Sequence, residues 1–182
     1  MKKIILSLVI LFAGISASQA QEIQTSKAIN VHFFSSASLE DIEATTQNGT
    51  SVITTSKNEF FFLVPIKSFT FKSSLMQEHF NENYMESDKY ADARFSGKVN
   101  EDIDWKKDGV NNVTVTGKLN IHGVEQDRTI SGKVIIKNGT IQLISEFKVR
   151  NVDHNIQIPK LVVAKIAEAI EVKVDCILMP KK

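Results

Sequence analysis

From residue 90 onward, apolar side chains fall on every second position. In "NVTVTGKLNIHGV" Val113, Val115, Leu119 and Ile121 are apolar, while Thr114, Thr116, Lys118 and Asn120 are polar. That period of two is the mark of a strand with one buried face. The parity is even in "RTISGKVIIKNG", with Ile130, Val134 and Ile136, and odd again in "TIQLISEFKV", with Ile141, Leu143, Phe147 and Val149. Asn138-Gly139 between the last two is a strong two-residue hairpin signal. A final strand, "IEVKVDCILM", places Ile170, Val172, Val174, Cys176 and Leu178 on one face. The first half predicts strands near Ala28–Phe34 and Thr50–Thr55, then "NEFFFLVPIKSFTF", with turns at Asn48-Gly49 and Lys57-Asn58. In that third run Phe60, Phe62, Val64 and Ile66 share one face and Phe61 and Leu63 the other, so both faces are expected to meet apolar material.

Two stretches break the alternation. Ser74-Leu75-Met76-Gln77 has a capping-box pattern and opens a helix near 75–85, with Leu75, Met76, His79, Phe80 and Tyr84 close to one face. Pro159, a favoured first helical position, opens a second near 159–168 that carries Ile158, Leu161, Val162, Ile166 and Ala169 on one stripe. Many short antiparallel strands with one apolar face each predict an all-β barrel or sandwich with two short helices. A barrel of about eight strands can hold one small ligand inside.

The first twenty residues read as an address. Lys2 and Lys3 precede an apolar run, Ile4 to Ile15, and Ser18-Gln19-Ala20 suits a signal peptidase, so 1–20 is expected to be a signal peptide cleaved after Ala20. The apolar run is shorter than a bilayer span and no second one follows, so no transmembrane segment is expected in the mature chain. The remaining 21–182 suits one domain. Losing the two lysines moves the formal charge from +1 to −1, which gives no electrostatic pull toward nucleic acid. A transmembrane barrel is disfavoured by the polar outward parity and by the Met-Pro-Lys-Lys end.

Candidate chemistry is sparse. His32, His79, His122 and His154 lack metal-ligand spacing, and the lone Cys176 shares the parity of buried strand residues. No metal or cofactor is expected. No nucleophile elbow, P-loop or dinucleotide fingerprint occurs, and Glu40, Asp41 and Glu43 read as a solvated turn. The chain is read as non-enzymatic. His122, before Gly123 at a strand end, is expected to be a hydrogen-bonded turn residue.

Three blocks in order, "SFTF…LMQEHFNENYMESDKYADARFSGKV", "VTVTGKLNIHGVEQDRTISGKV" and "DHNIQIPKLVVAKIAEAIEVKV", resemble the YceI-like family. The resemblance covers about residues 60–175 and implies a lipocalin-like, extended antiparallel β-barrel, exported to the periplasm, that encloses an apolar tunnel around a long isoprenoid chain. Departures are Ala91, where the family usually has Pro, a shorter and more irregular N-terminal portion, and Glu125-Gln126 after "HGV", read as altering only a turn.

In such a barrel the excursion Leu75–Tyr90 would cover or line the tunnel, with Met76, Phe80 and Tyr84 carried over from the helical block and Tyr90 and Phe95 from the "KYADARF" block. As a lid residue, Phe80 is expected to make few core contacts. Shared parity adds Phe60, Phe62, Val64, Phe69 and Phe71, then Phe95, Leu119, Ile121, Ile136, Leu143 and Phe147 as candidate lipid-binding residues. Two functions stay open. One is a carrier, store or sequestering protein for a long-chain apolar lipid. The other is a barrel filled by its own side chains, the 11 Phe being simply core, acting in envelope stress or adhesion. A homodimer is left open.

Overall fold

A computed structural model describes residues 23–159 and 164–181. β1 (Ile23–Ser36) and β2 (Asp41–Thr54) form a long hairpin, followed by β3 (Glu59–Pro65), a two-residue β4 (Thr70–Phe71) and helix α1 (Ser74–His79). Then come β5 (Asp92–Val99), β6 (Gly109–Ile121), β7 (Val124–Lys137), β8 (Thr140–Arg150) and β9 (Ala169–Pro180). The sheet order is β1-β9-β8-β7-β6-β5-β3-β2-β4, and pairing of β1 with β2 closes eight strands into an antiparallel barrel with β4 flanking β2. The expected signal peptide, 1–20, lies outside the described residues. So does the 160–163 portion of the expected second helix, and the described residues 164–168 on its far side form turns and bends.

Turn chemistry fixes the register of the later strands. His122-Gly123 and Asn138-Gly139 join their hairpins with positive φ at both residues, 52° and 71°, 51° and 75°, the turn whose twist matches that of the flanking strands. Asn58, φ 56°, closes the turn after β2 as expected. Asn48-Gly49, by contrast, is no turn. β2 runs straight through it, opposite two register shifts in β1 between Ser26 and Val31. These bulges switch the inward parity: Ser51 and Ile53 are buried below them, Ala44 and Thr46 above. That switch is why the N-terminal half looks irregular as sequence while forming two 14-residue strands.

The lower end of the barrel, where the Asn138-Gly139 turn lies, is solid. Ile53, Val99, Ile103, Ile136, Ile141 and Leu178 are buried together there. Trp105 packs on Phe60 with ring centroids 6.1 Å apart and donates its indole N–H to Asn58 Oδ1 at 2.7 Å. Phe61, on the outer face of β3, is 37% exposed, so only the inner face of that strand meets the core. Glu125 and Gln126 belong to β7 and not to a turn. β7 and β8 pair only from Lys137↔Thr140 to Gly132↔Ser145; above that point the two strands part.

Candidate functional site

The upper end of the barrel is hollow. A cavity of about 610 Å³ runs from the packed lower core, where Phe60 borders it, to a mouth beneath α1 and the loops around Glu40 and Lys165. Strand alternation builds its wall, since inward positions of a closed barrel are every second residue. Phe60, Phe62 and Val64 line it from β3, Phe95 from β5, Leu119 and Ile121 from β6, and Leu143 and Phe147 from β8. Phe69 and Phe71, with Met76, Phe80 and Tyr84, line it from the covering segment. Ile136 is the exception. It pairs with Ile141 next to the lower turn and is 3% exposed within the solid floor, so it does not reach the cavity, whereas Val134, one inward step higher, does.

Sequence reasoning left out the wall contributed by β1 and β9. Ile29, Val31 and Phe33 on β1 and Ile170, Val172 and Val174 on β9 also face the cavity. Their alternation is visible in "INVHF" and "AIEVKV", but the β1 bulge hides its continuity with the strand's start.

The cover is anchored by aromatic rings. Phe80 lies 4.9 Å from Phe71, 5.5 Å from Phe33 and 5.8 Å from Phe69, centroid to centroid. It therefore sits at the hub of a ring cluster and is not the sparsely packed lid residue expected. α1 starts one residue earlier than the capping-box reading placed it. Ser73 is the N-cap, its hydroxyl accepting from the Met76 N–H at 3.4 Å. Gln77 Oε1 instead accepts the N–H of Phe71 at 3.3 Å, which ties the helix to the neighbouring strand. After His79 the helix widens into a π-turn, Phe80–Tyr84, closed by Met85 N–H on Phe80 O at 2.9 Å. Met85 then packs with Ile66 and Ile156 in a second small core.

His122 fastens the end of this excursion. Its Nδ1 lies 3.1 Å from the His154 carbonyl and its Nε2 2.7 Å from the Glu86 carboxylate, while Tyr90 sets its ring edge-on at 4.4 Å. A side chain at Gly123 would overlap that Tyr90 ring, 2.5 Å from its Cε1. His154 beneath it is fully buried. Burial pushes its pKa down, against the opposing pull of carbonyls at Val124 and Ile121.

Polar side chains are a minority of the lining, and two of them form a pair at the mouth. Lys165 and Glu40 face each other there at 3.8 Å, both partly exposed, a pair of little energetic weight. Burial pushes the Cys176 thiol up to about 12, so it is no thiolate nucleophile. Among the described residues no three His, Cys, Asp or Glu side chains gather as metal ligands, and no helix is long and apolar enough to cross a membrane.

An eight-stranded barrel of lipocalin type, solid below and hollow above under a helical cover, defines a class of proteins built around an apolar interior. The YceI-like domain family matches residues 18–178, and the chain belongs to that family. Among solved structures, a polyisoprenoid-binding domain from Saccharophagus degradans, implicated in plant cell wall breakdown, superposes with TM-score 0.75 at 12% identity over 88% of this chain and 99% of that one. BcnA from Burkholderia cenocepacia gives TM-score 0.65 at 15% identity over 82% and 95%. A YCEI protein from Campylobacter jejuni gives TM-score 0.55 at 17% identity over 68% and 72%. These likenesses are likenesses of fold. No curated protein matches the chain.

Proposed function

We propose that this protein binds a long-chain isoprenoid or similar apolar lipid in the barrel cavity and carries, stores or sequesters it after export to the periplasm through its first twenty residues. The observation that carries the reading is the covered cavity of about 610 Å³, walled almost wholly by aliphatic and aromatic side chains. The domain from Saccharophagus degradans, described as polyisoprenoid-binding, supports it from a relative of the same fold. Burying several hundred Å² of a lipid chain at ~25 cal/mol/Å² yields on the order of ten kcal/mol before the costs of association. No charged or catalytic group is needed for such binding, and the mechanism is one of apolar burial without chemistry.

The test is organic extraction and mass spectrometry of the protein purified from periplasm, for wild type and for Leu119→Trp. Leu119 is 5% exposed and faces the cavity. An indole there fills ligand space while costing no more than about 1–3 kcal/mol of stability. Wild type is expected to carry a long-chain lipid, and the variant to fold without it. A wild-type protein that carries no lipid and takes up no polyprenyl alcohol would overturn the reading in favour of a barrel that acts through its surface.

A further inference from the structure

In an intact barrel wall only alternate residues line the interior, as β3 does with Phe60, Phe62 and Val64. β7 breaks this rule. Residues 130–134 line the cavity without a gap, joined on β8 by Leu143, Ile144 and Ser145. Residues 93–95 of β5 also line it consecutively, but between unbroken ladders; on β7 and β8 the consecutive lining coincides with the end of a ladder, so the cavity reaches the seam between the two strands. It does so where the β7–β8 ladder ends, at Gly132↔Ser145. Above that pair, two side-chain bonds span the parted strands in place of a ladder, and a third ties β7 to the turn that follows β8. Ser145 Oγ donates to the Ser131 carbonyl at 2.7 Å, the Arg128 guanidinium to the Lys148 carbonyl at 2.6 Å, and Gln126 Nε2 to the Asp153 carbonyl at 2.6 Å. Gln126 and Arg128 hold the same parity as the buried Ile130 and Val134. Positions that would extend the apolar wall of β7 are thus occupied by groups that reach across the gap.

We propose that the seam between β7 and β8 is a side portal through which the chain of a long apolar lipid enters and leaves the barrel, latched by Gln126 and Arg128. This rests on the lipid-binding reading above. Side-chain bonds across a gap break one at a time, whereas a continuous ladder opens only cooperatively, so this edge of the wall parts without unfolding the barrel. The latch groups touch backbone carbonyls and stand above the cavity, so they set rates and not affinity.

Transfer of tritiated undecaprenol between the full mature protein and phosphatidylcholine vesicles tests this. With the latch removed, Gln126→Ala with Arg128→Ala, uptake and release are both expected to quicken about tenfold, the change that losing two side-chain bonds allows, while the dissociation constant stays within about twofold. Continuing the register places Thr129 opposite Lys148, both exposed. Thr129→Cys with Lys148→Cys, bridged by a short bismaleimide, is expected to slow both rates about tenfold relative to the same variant capped with N-ethylmaleimide. Bound undecaprenol with equal rates in the latched, unlatched and bridged proteins overturns the portal alone. A wild-type protein that takes up no undecaprenol overturns the lipid reading and the portal with it.

Discussion

Phe80→Ala tests how the cover is held to the barrel. The Phe80 ring meets Phe71, Phe33 and Phe69 at 4.9, 5.5 and 5.8 Å and packs against both the main core and the small core of Ile66, Met85 and Ile156. Truncating a fully buried Phe costs about 3–5 kcal/mol. Phe80 is half-buried, which lowers the transfer part, while each aromatic pair adds about 0.5–1.5 kcal/mol beyond its area. A loss of about 2–3 kcal/mol follows from these two contributions. Phe80→Leu, which keeps much of the apolar surface and loses the ring geometry, is expected to cost about 1 kcal/mol. Urea unfolding followed by circular dichroism gives the global loss, and hydrogen exchange with mass spectrometry over 74–90 gives the local one. Part of the loss is expected to appear as faster exchange confined to that segment, most of all around Phe80, since its remaining ties lie at its two ends: the Ser73 cap and Gln77 on Phe71 at one, and Met85 with Ile66 and Ile156, Lys67 with Asp88, and His122 with Glu86 and Tyr90 at the other. A global loss below about 0.5 kcal/mol with unchanged protection at 74–90 would refute the ring cluster as the anchor of the cover.

Gly49→Ala should destabilise, because a Cβ there would stand 2.6 Å from Ile29 Cδ1 and 2.8 Å from the Leu63 carbonyl. The side chain can give way but the backbone cannot, so a loss of about 1–3 kcal/mol in urea is expected, and a neutral result would contradict the close approach of β1 and β2. His154 gives the pH test. Burial holds its folded pKa below the ordinary value, so the neutral form contributes stability that is present above about pH 6.5 and lost as pH falls below it toward the folded pKa, at up to about 1.4 kcal/mol per pH unit. Wild type should therefore lose more stability between pH 7.5 and 5 than His154→Asn does; parallel losses would contradict the buried neutral imidazole.

The hairpins of β6 to β8 and the last strand were legible because alternation and the two-residue turns agree there: Val113 to Ile121 alternate cleanly up to His122-Gly123, and Ile141 to Val149 resume after Asn138-Gly139. Asn48-Gly49 carries the same dipeptide and means something else. Its glycine admits Ile29 of the neighbouring strand, a requirement set by packing between segments about twenty residues apart in sequence, which local pattern does not express. The same limit explains Ile136. Parity places a residue inside the barrel but says nothing of its height, and the height at which packed side chains give way to open space is set by tertiary packing, including Ile103 and Trp105 from a segment without periodicity. Phe33 escaped notice for a related reason, since the bulge below it breaks the count that would have joined it to the wall.

The solid lower end gives the hollow a length as well as a width. From Val113 to Ile121, the span over which β6 borders the cavity, eight strand steps of about 3.4 Å make roughly 27 Å along the strand and about 20 Å along a barrel axis crossed at the usual tilt. The barrel is therefore a ruler whose zero mark is the packed core around Ile53, Ile136 and Leu178. An occupant shorter than the scale leaves wall atoms with no partners and forfeits their dispersion contacts; one that is longer must project from the mouth or turn aside through the wall. On the lipid-binding reading proposed above, width admits any slender apolar chain, and selection among such chains falls to the depth at which the packed core ends the scale.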